Sequence, residues 1–419
     1  MSNTNTISIS FSNRSLKGEA PLPASKSISN RVLIIRALSG ASFRIDNLSD
    51  AQDTVTMNQI LKGFSNGQTE FNVGHAGTTF RFLTAFLAIK KGRQILTGSA
   101  RMLQRPIGPL VDALRQIGAN IRYLGEEGYP PLQIDSPQFT DNQTVSIFAG
   151  MSSQFLSALL LIGPYLPKGL ILKPEGKMVS SSYLQMTMDL MQEFGAKIEL
   201  TGKVISVQAG KYLAKDFEVE SDWSAASYFF GMAAGVEEVD LLLPKLRKNS
   251  LQGDQAMVDL AAKFGIGSRY TEAGVQLYKD ASLEEDILDI DFLEFPDLAQ
   301  TVMVMVALTG KTGFFTGLET LKIKETDRIL ALQTELKKVG VYFTQLPQKF
   351  SPQSGKTFYT INGKLDLSQT PTFSTYEDHR MAMAFAILAT KGRINIKNPG
   401  VVKKSFPGFW DVLGLLSRG

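Results

Sequence analysis

The chain has 419 residues, 43% of them hydrophobic and 20% charged; this describes a folded globular protein long enough for two domains of roughly 200 residues each. A net charge of +4 excludes a nucleic-acid-coating surface and makes any cationic function local. The absence of cysteine excludes disulfides, thiolate nucleophiles and cysteine-held metals; two histidines, His75 and His379, leave no histidine-rich metal site, while carboxylate-bound Mg²⁺ stays open on counts alone.

The opening "MSNTNTISISFSNRS" lacks a basic region followed by an apolar core, so no secretory signal is expected. No apolar run approaches the length of a membrane span, and a cytoplasmic enzyme is the expectation. The first strong element is "LPASKSISNRVLIIRAL" (22–38), where Lys26, Ser27, Ser29, Asn30 and Arg31 crowd the start of an apolar helix that one cap would serve. Ser27 and Arg31 lie four residues apart and share a helical face.

The same device recurs along the chain. "GHAGTTFRFLTAFLAI" (74–89), "GMSSQFLSALLLIG" (150–163), "SDWSAASYFFGMAAG" (221–235), "EFPDLAQTVMVMVAL" (294–308) and "STYEDHRMAMAFAILA" (374–389) each put a polar cluster before a run too apolar for a surface helix. These are expected to be buried central helices whose polar ends reach a cleft at the domain edge. A helix N-terminus presents unpaired N–H donors and partial positive charge, so such ends suit phosphate or carboxylate.

Between them runs a second series of amphipathic helices: "TVTMNQILKGF" (54–64), "LVDALRQIGANIRYL" (110–124), "TMDLMQEFGAKIEL" (187–200), "AMVDLAAKFGIGSRY" (256–270), "ALQTELKKVGVYFTQ" (331–345) and "GFWDVLGLL" (408–416). Four of these close on glycine and continue as a strand, at Gly118, Gly195, Gly265 and Gly340, with spacings of 77, 70 and 75 residues. Helix–Gly–strand is common in any α/β protein, but the regular spacing points to six subdomain units in two groups of three. In "KETDR", Lys324 and Arg328 repeat the spacing of Ser27 and Arg31. Carboxylates interleave with the cations at Asp297, Glu325, Asp327 and Asp378, and an Asp among cations stays ionised, as a general base requires.

Nine stretches, "LPASKSISNR", "AGTTFRFLTA", "RPIGPLVDALRQIGA", "SSQFLSALLL", "SDWSAASYF", "FPDLAQT", "KETDRI", "YEDHRMAMAFA" and "KKSFPGFW", occur in the order found in the EPSP synthase family, which the chain resembles over nearly its full length. The resemblance implies a two-domain inside-out α/β barrel, each domain holding three βαβαββ units around buried parallel helices. It also implies a chain that crosses twice: residues 1–24 with 221–419 in one lobe, 25–220 in the other, and the active site in the cleft between them. The reaction implied is transfer of the enolpyruvyl group of phosphoenolpyruvate to the 5-hydroxyl of shikimate 3-phosphate with release of phosphate, a step toward chorismate and the aromatic amino acids.

By motif position the resemblance assigns Lys26, Ser27, Arg31, Ser152, Ser153, Gln154, Ser180, Tyr183, Asp297 and Lys324 to shikimate 3-phosphate. Lys26, Gly77, Arg81, Arg105, Gln154, Arg328, Arg380 and Lys404 are assigned to phosphoenolpyruvate. Asp297 is the implied base for the hydroxyl proton and Glu325 the implied donor to C3, with Lys26 and Lys404 as helpers. Two small-molecule substrates, no cofactor, no metal, no nucleic acid, no membrane and a monomer are implied. Three positions depart from the family's usual pattern: His75 stands for Asn, Phe82 for Pro and Thr320 for Asn. Near Gly77, glyphosate competes with phosphoenolpyruvate in this family. The rival readings are the sister transferase acting on UDP-N-acetylglucosamine, which commonly uses a cysteine absent here, and an RNA-binding protein, which would need aromatic platforms beside basic stripes.

Overall fold

The computed structural model describes residues 5–12, 14–150, 152–176, 178–347, 349 and 355–417. The chain forms two compact units: a contiguous one, Ala24–Val219, and a split one, Met1–Pro23 with Glu220–Gly419. The sequence reading drew each crossing one residue later.

One strand plan recurs in both units. In the contiguous unit Glu70–Asn72 runs parallel to Gln94–Thr97, whose other edge pairs antiparallel with Leu132–Asp135, itself paired with Asn120–Tyr123. Thr144–Phe148, Leu170–Glu175, Val204–Val207 and Ile198–Thr201 repeat that order and sense. A short parallel pair joins Phe217–Glu218 to Ile45–Asp46. In the split unit the plan appears as Ser15–Glu19, Glu238–Pro244, Gly274–Lys279 and Ile266–Tyr270. It appears again as Ile287–Asp291, Thr312–Thr316, Tyr359–Gly363 and Val341–Gln345. A third sheet pairs Thr372–Phe373 with Ile394–Lys397, closed antiparallel by the early strand Thr6–Ile9.

A parallel pair needs a crossover, and the apolar helices supply it. Gly77–Ala88 is buried except at Thr78, Ser153–Ile162 except at Gln154, Trp223–Gly235 except at Ser224, and Ala299–Thr309 except at its last residue. His379–Ala386 is buried throughout. Three of these helices therefore open to their surroundings only at a polar residue of the first turn. The strands Ile287–Asp291 and Thr144–Phe148 alternate instead, buried residues taking turns with more exposed ones, the pattern of a sheet with one face on the core and the other toward water.

The second helix series closes as expected on left-handed glycines, φ 95° at Gly118, 84° at Gly195, 72° at Gly265 and 77° at Gly340. At Gly118 a Cβ would also stand 1.9 Å from the Gln138 carbonyl oxygen, so no other residue fits. Two details differ from the sequence reading. The helix near 256 is short, Met257–Ala262, entered through the 3₁₀ turn Gly253–Ala256. The helix carrying Arg328 begins at that residue, capped by Asp327, which leaves Lys324 in extended backbone outside it. Lys324 and Arg328 thus share no helical face, although their spacing allowed one.

Candidate active site

In the contiguous unit the polar ends gather cations, and Arg31 meets neutral acceptors. Arg31 is 2% exposed; its Nε donates to Thr187 Oγ1 (2.7 Å), Nη1 to the Ser27 carbonyl (2.9 Å), and Nη2 to the Tyr183 carbonyl (3.1 Å) and Ser157 Oγ (3.4 Å). The guanidinium also lies 5.4 Å from the Phe82 ring centroid and 6.0 Å from that of Tyr183. Phe82, where the family pattern favours Pro, is therefore a stacking surface for Arg31. Burial without a carboxylate pulls the Arg31 pKa down to about 10. A buried cation surrounded by neutral acceptors gains from an added anion.

Gly77 sits beneath two more guanidiniums. A Cβ built there would lie 2.4 Å from Arg105 Nη1 and 2.9 Å from Arg81 Nη1, so the missing side chain is the space they occupy. Arg81 Nη1 donates to the Gly77 carbonyl (2.9 Å), and its guanidinium covers Phe155 at 5.5 Å. Arg105 is 9% exposed, and no carboxylate among the described residues lies within ion-pair distance of it. Gln154 Nε2 donates to Thr78 Oγ1 (3.1 Å), and the Ser152 hydroxyl caps the helix by accepting from the Gln154 N–H. Lys26 pairs with buried Asp53 at 3.4 Å. Ser180, at the head of Ser181–Glu193, holds φ 54° although it is not glycine. Among the described residues the side chains of Ser153 and Ser180 make no hydrogen bond that ties them to these cations.

The split unit carries a lattice of alternating charge. Arg328, 1% exposed, holds three carboxylates: Asp378 through Nε (2.7 Å), Asp297 through Nη1 (3.1 Å) and Glu325 through Nη2 (3.0 Å). Lys404 Nζ donates to Glu325 Oε1 (2.6 Å), Arg380 Nη2 to Asp297 Oδ2 (2.8 Å), and Lys324 lies 3.8 Å from Asp297 Oδ1. Lys324 and Arg328 thus converge through Asp297. Burial works against the Arg328 charge, but Asp378, Glu325 and Asp297 outweigh it and the group holds its proton more tightly than an ordinary arginine. Burial lowers the Lys324 pKa against the pull of Asp297. His75 Nδ1 meets Ser99 Oγ at 3.0 Å, and Thr320 Oγ1 is buried with no partner among the described residues.

The structure thus brings Asp297, Lys324, Glu325, Arg328, Arg380 and Lys404 into one network, and links Ser27, Arg31 and Tyr183 in a second and Gly77, Arg81 and Arg105 in a third. Sequence reasoning missed Asp53, Ser157 and Thr187. Ser157 follows Ser153, and Thr187 follows Tyr183, by one helical turn, the spacing that could have found them. It missed Ser224 and Asp254 as well; their hydroxyl–carboxylate contact closes a chain to Arg380. No group of three or more His, Asp or Glu among the described residues could hold a metal ion, and no helix is long and apolar enough to cross a membrane.

The fold is shared with solved enolpyruvyl transferases. EPSP synthase from Acinetobacter baumannii superposes with a TM-score of 0.76 at 23% identity, covering 99% of this chain and 98% of that one. The enolpyruvyl transferase NikO from Streptomyces tendae superposes at 0.73 with 14% identity, covering 99% and 98%. The family is narrower still. The profile of EPSP synthase (3-phosphoshikimate 1-carboxyvinyltransferase) matches residues 12–70 and 63–413, and the chain belongs to that family. A 3-phosphoshikimate 1-carboxyvinyltransferase from Bacteroides fragilis is 44% identical over 400 residues, 95% of each chain. One from Vibrio atlanticus is 34% identical, covering 96% of this chain and 97% of its own.

Proposed function

We propose that this protein transfers the enolpyruvyl group of phosphoenolpyruvate to the 5-hydroxyl of 3-phosphoshikimate, giving 5-enolpyruvylshikimate 3-phosphate and phosphate. One observation carries the reading beyond family membership: the two carboxylates assigned to proton transfer, Asp297 and Glu325, hang from the same guanidinium, that of Arg328. In the addition step the hydroxyl oxygen bonds to C2 and yields its proton to Asp297, while C3 accepts a proton from Glu325. In the elimination step the C2–O bond to phosphate breaks and C3 returns a proton to Glu325.

Lys404, bonded to Glu325 Oε1, is the route by which that carboxyl exchanges its proton. Arg328, Arg380 and Lys404 hold phosphoenolpyruvate, Arg328 and Arg380 sharing donors with Asp297. Lys26, Gly77, Arg81, Arg105 and Gln154 hold phosphoenolpyruvate as well, arginines suiting its anionic groups. Ser27, Arg31, Ser152, Ser153, Gln154, Ser180 and Tyr183, with Lys324, hold 3-phosphoshikimate. The protein works as a cytoplasmic monomer without cofactor or metal.

The test is phosphate release from phosphoenolpyruvate by the purified protein. Release is expected with shikimate 3-phosphate and absent without it. Equal release with UDP-N-acetylglucosamine alone would transfer the assignment to the sister activity.

A further inference from the structure

Asp254 lies in the 3₁₀ turn Gly253–Ala256, 4% exposed, a full sheet away in sequence from every residue assigned above. Its carboxylate has one hydrogen-bond partner among the described residues, the hydroxyl of Ser224, and no cation within ion-pair distance. Ser224 is the residue left open at the first turn of Trp223–Gly235, and its Oγ accepts from Arg380 Nη2 at 3.4 Å. Arg380 in turn bonds Asp297 through that same nitrogen at 2.8 Å. The turn itself is anchored: Gln252 donates to the Ser221 carbonyl (2.8 Å) and Glu220 Oε1 (2.9 Å) and accepts from the Trp223 N–H (3.1 Å).

A hydroxyl donates once and accepts through its lone pairs, and its rotor is free unless something fixes it. A buried carboxylate that must receive a hydrogen bond turns the Ser224 proton toward itself, which leaves the lone pairs for Arg380. We infer that Asp254 and Ser224 are positioning residues for Arg380, holding one arm of its guanidinium in place when Asp297 gives up its bond to Arg380 in order to act on substrate. The inference rests on the proposed reaction, in which Arg380 holds phosphoenolpyruvate. Asp222, Asp297 and Arg380 are the charged groups around Asp254.

The experiment is steady-state kinetics on Ser224→Ala, Asp254→Ala, the double variant and Asp254→Asn, with circular dichroism and thermal melting as the check of fold. Ser224→Ala and Asp254→Ala are each expected to raise KM for phosphoenolpyruvate about tenfold, the worth of one buried hydrogen bond, with a smaller change in kcat. The double variant should be no worse than the poorer single one, because both break one chain. Asp254→Asn keeps an acceptor for the Ser224 hydroxyl and should stay within about threefold of the parent. A folded Ser224→Ala with KM within twofold of the parent overturns the inference, as do additive effects in the double variant or an Asn variant as impaired as the Ala one. Failure of the proposed function would show differently, as no shikimate 3-phosphate-dependent phosphate release by the unaltered protein.

Discussion

Gly77→Ala separates function from stability in opposite directions. The backbone at Gly77 accepts alanine, and a residue with a side chain in the first helical turn gains about 0.5–1 kcal/mol over glycine. The new methyl would stand 2.4 Å from Arg105 Nη1, 2.9 Å from Arg105 Cζ and 2.9 Å from Arg81 Nη1. Ordinary contact needs about 3.5 Å, so Arg105 must retreat by about 1 Å and Arg81 by about half that. Both contacts are made by the ends of long side chains, so the fold absorbs the shift. A binding group displaced by about 1 Å costs up to about 10²-fold. KM for phosphoenolpyruvate should therefore rise between about tenfold and 10²-fold, while the melting temperature holds or rises and calorimetric affinity for shikimate 3-phosphate alone changes little. A KM within twofold of the parent would refute the placing of Arg81 and Arg105 at phosphoenolpyruvate. A melting temperature lowered by several degrees would refute the claim that side-chain swing relieves the contact.

Arg328→Lys cannot hold Asp378, Asp297 and Glu325 at once, and Asp378 is fully buried. Breaking such a buried pair costs about 3–5 kcal/mol, readable by urea denaturation, and a loss under about 1 kcal/mol would show that the lattice rearranges at little cost. Asp254 bears on pH: burial first, then repulsion from Asp297, pushes its pKa up to about 7 from an ordinary 3.8. The folded protein then binds this proton more tightly than the unfolded chain, so stability from this group is full below about pH 4 and is lost as pH rises to about 7, at up to about 1.4 kcal/mol per pH unit. Asp254→Asn should lack that slope, its advantage growing from acid to neutral pH; parallel pH curves for the two proteins in urea melts would sink the argument.

The helices were legible because their signal is local. An unbroken apolar run such as residues 302–308 reads as a core element, and a glycine after an amphipathic turn, as at Gly118, reads as a stop. The polar clusters could be seen for the same reason, each being a few adjacent letters. Partnerships were not. Arg31 reaches Thr187, and Ser224 reaches Asp254, through pairings that depend on how strands order themselves in a sheet, which no single window of sequence records. The spacing rule misled where a helix started late: Lys324 stands in extended chain, and only the shared carboxylate of Asp297 joins it to Arg328. Nor does the composition tell that the two cation sets differ in kind. In one unit Arg31 waits among neutral acceptors and Arg105 beside the guanidinium of Arg81, and in the other Arg328 and Arg380 are already neutralised by neighbours.

The early strands Thr6–Ile9 and Ser15–Glu19 pair with Ile394–Lys397 and Glu238–Pro244, so the split unit is stitched from opposite stretches of the chain. On a ribosome the contiguous unit can close as soon as it emerges, whereas Thr6–Ile9 must wait for almost everything downstream. At roughly 5–20 residues per second that delay is tens of seconds, during which an unpaired edge strand is open to chaperones or to a neighbouring nascent chain.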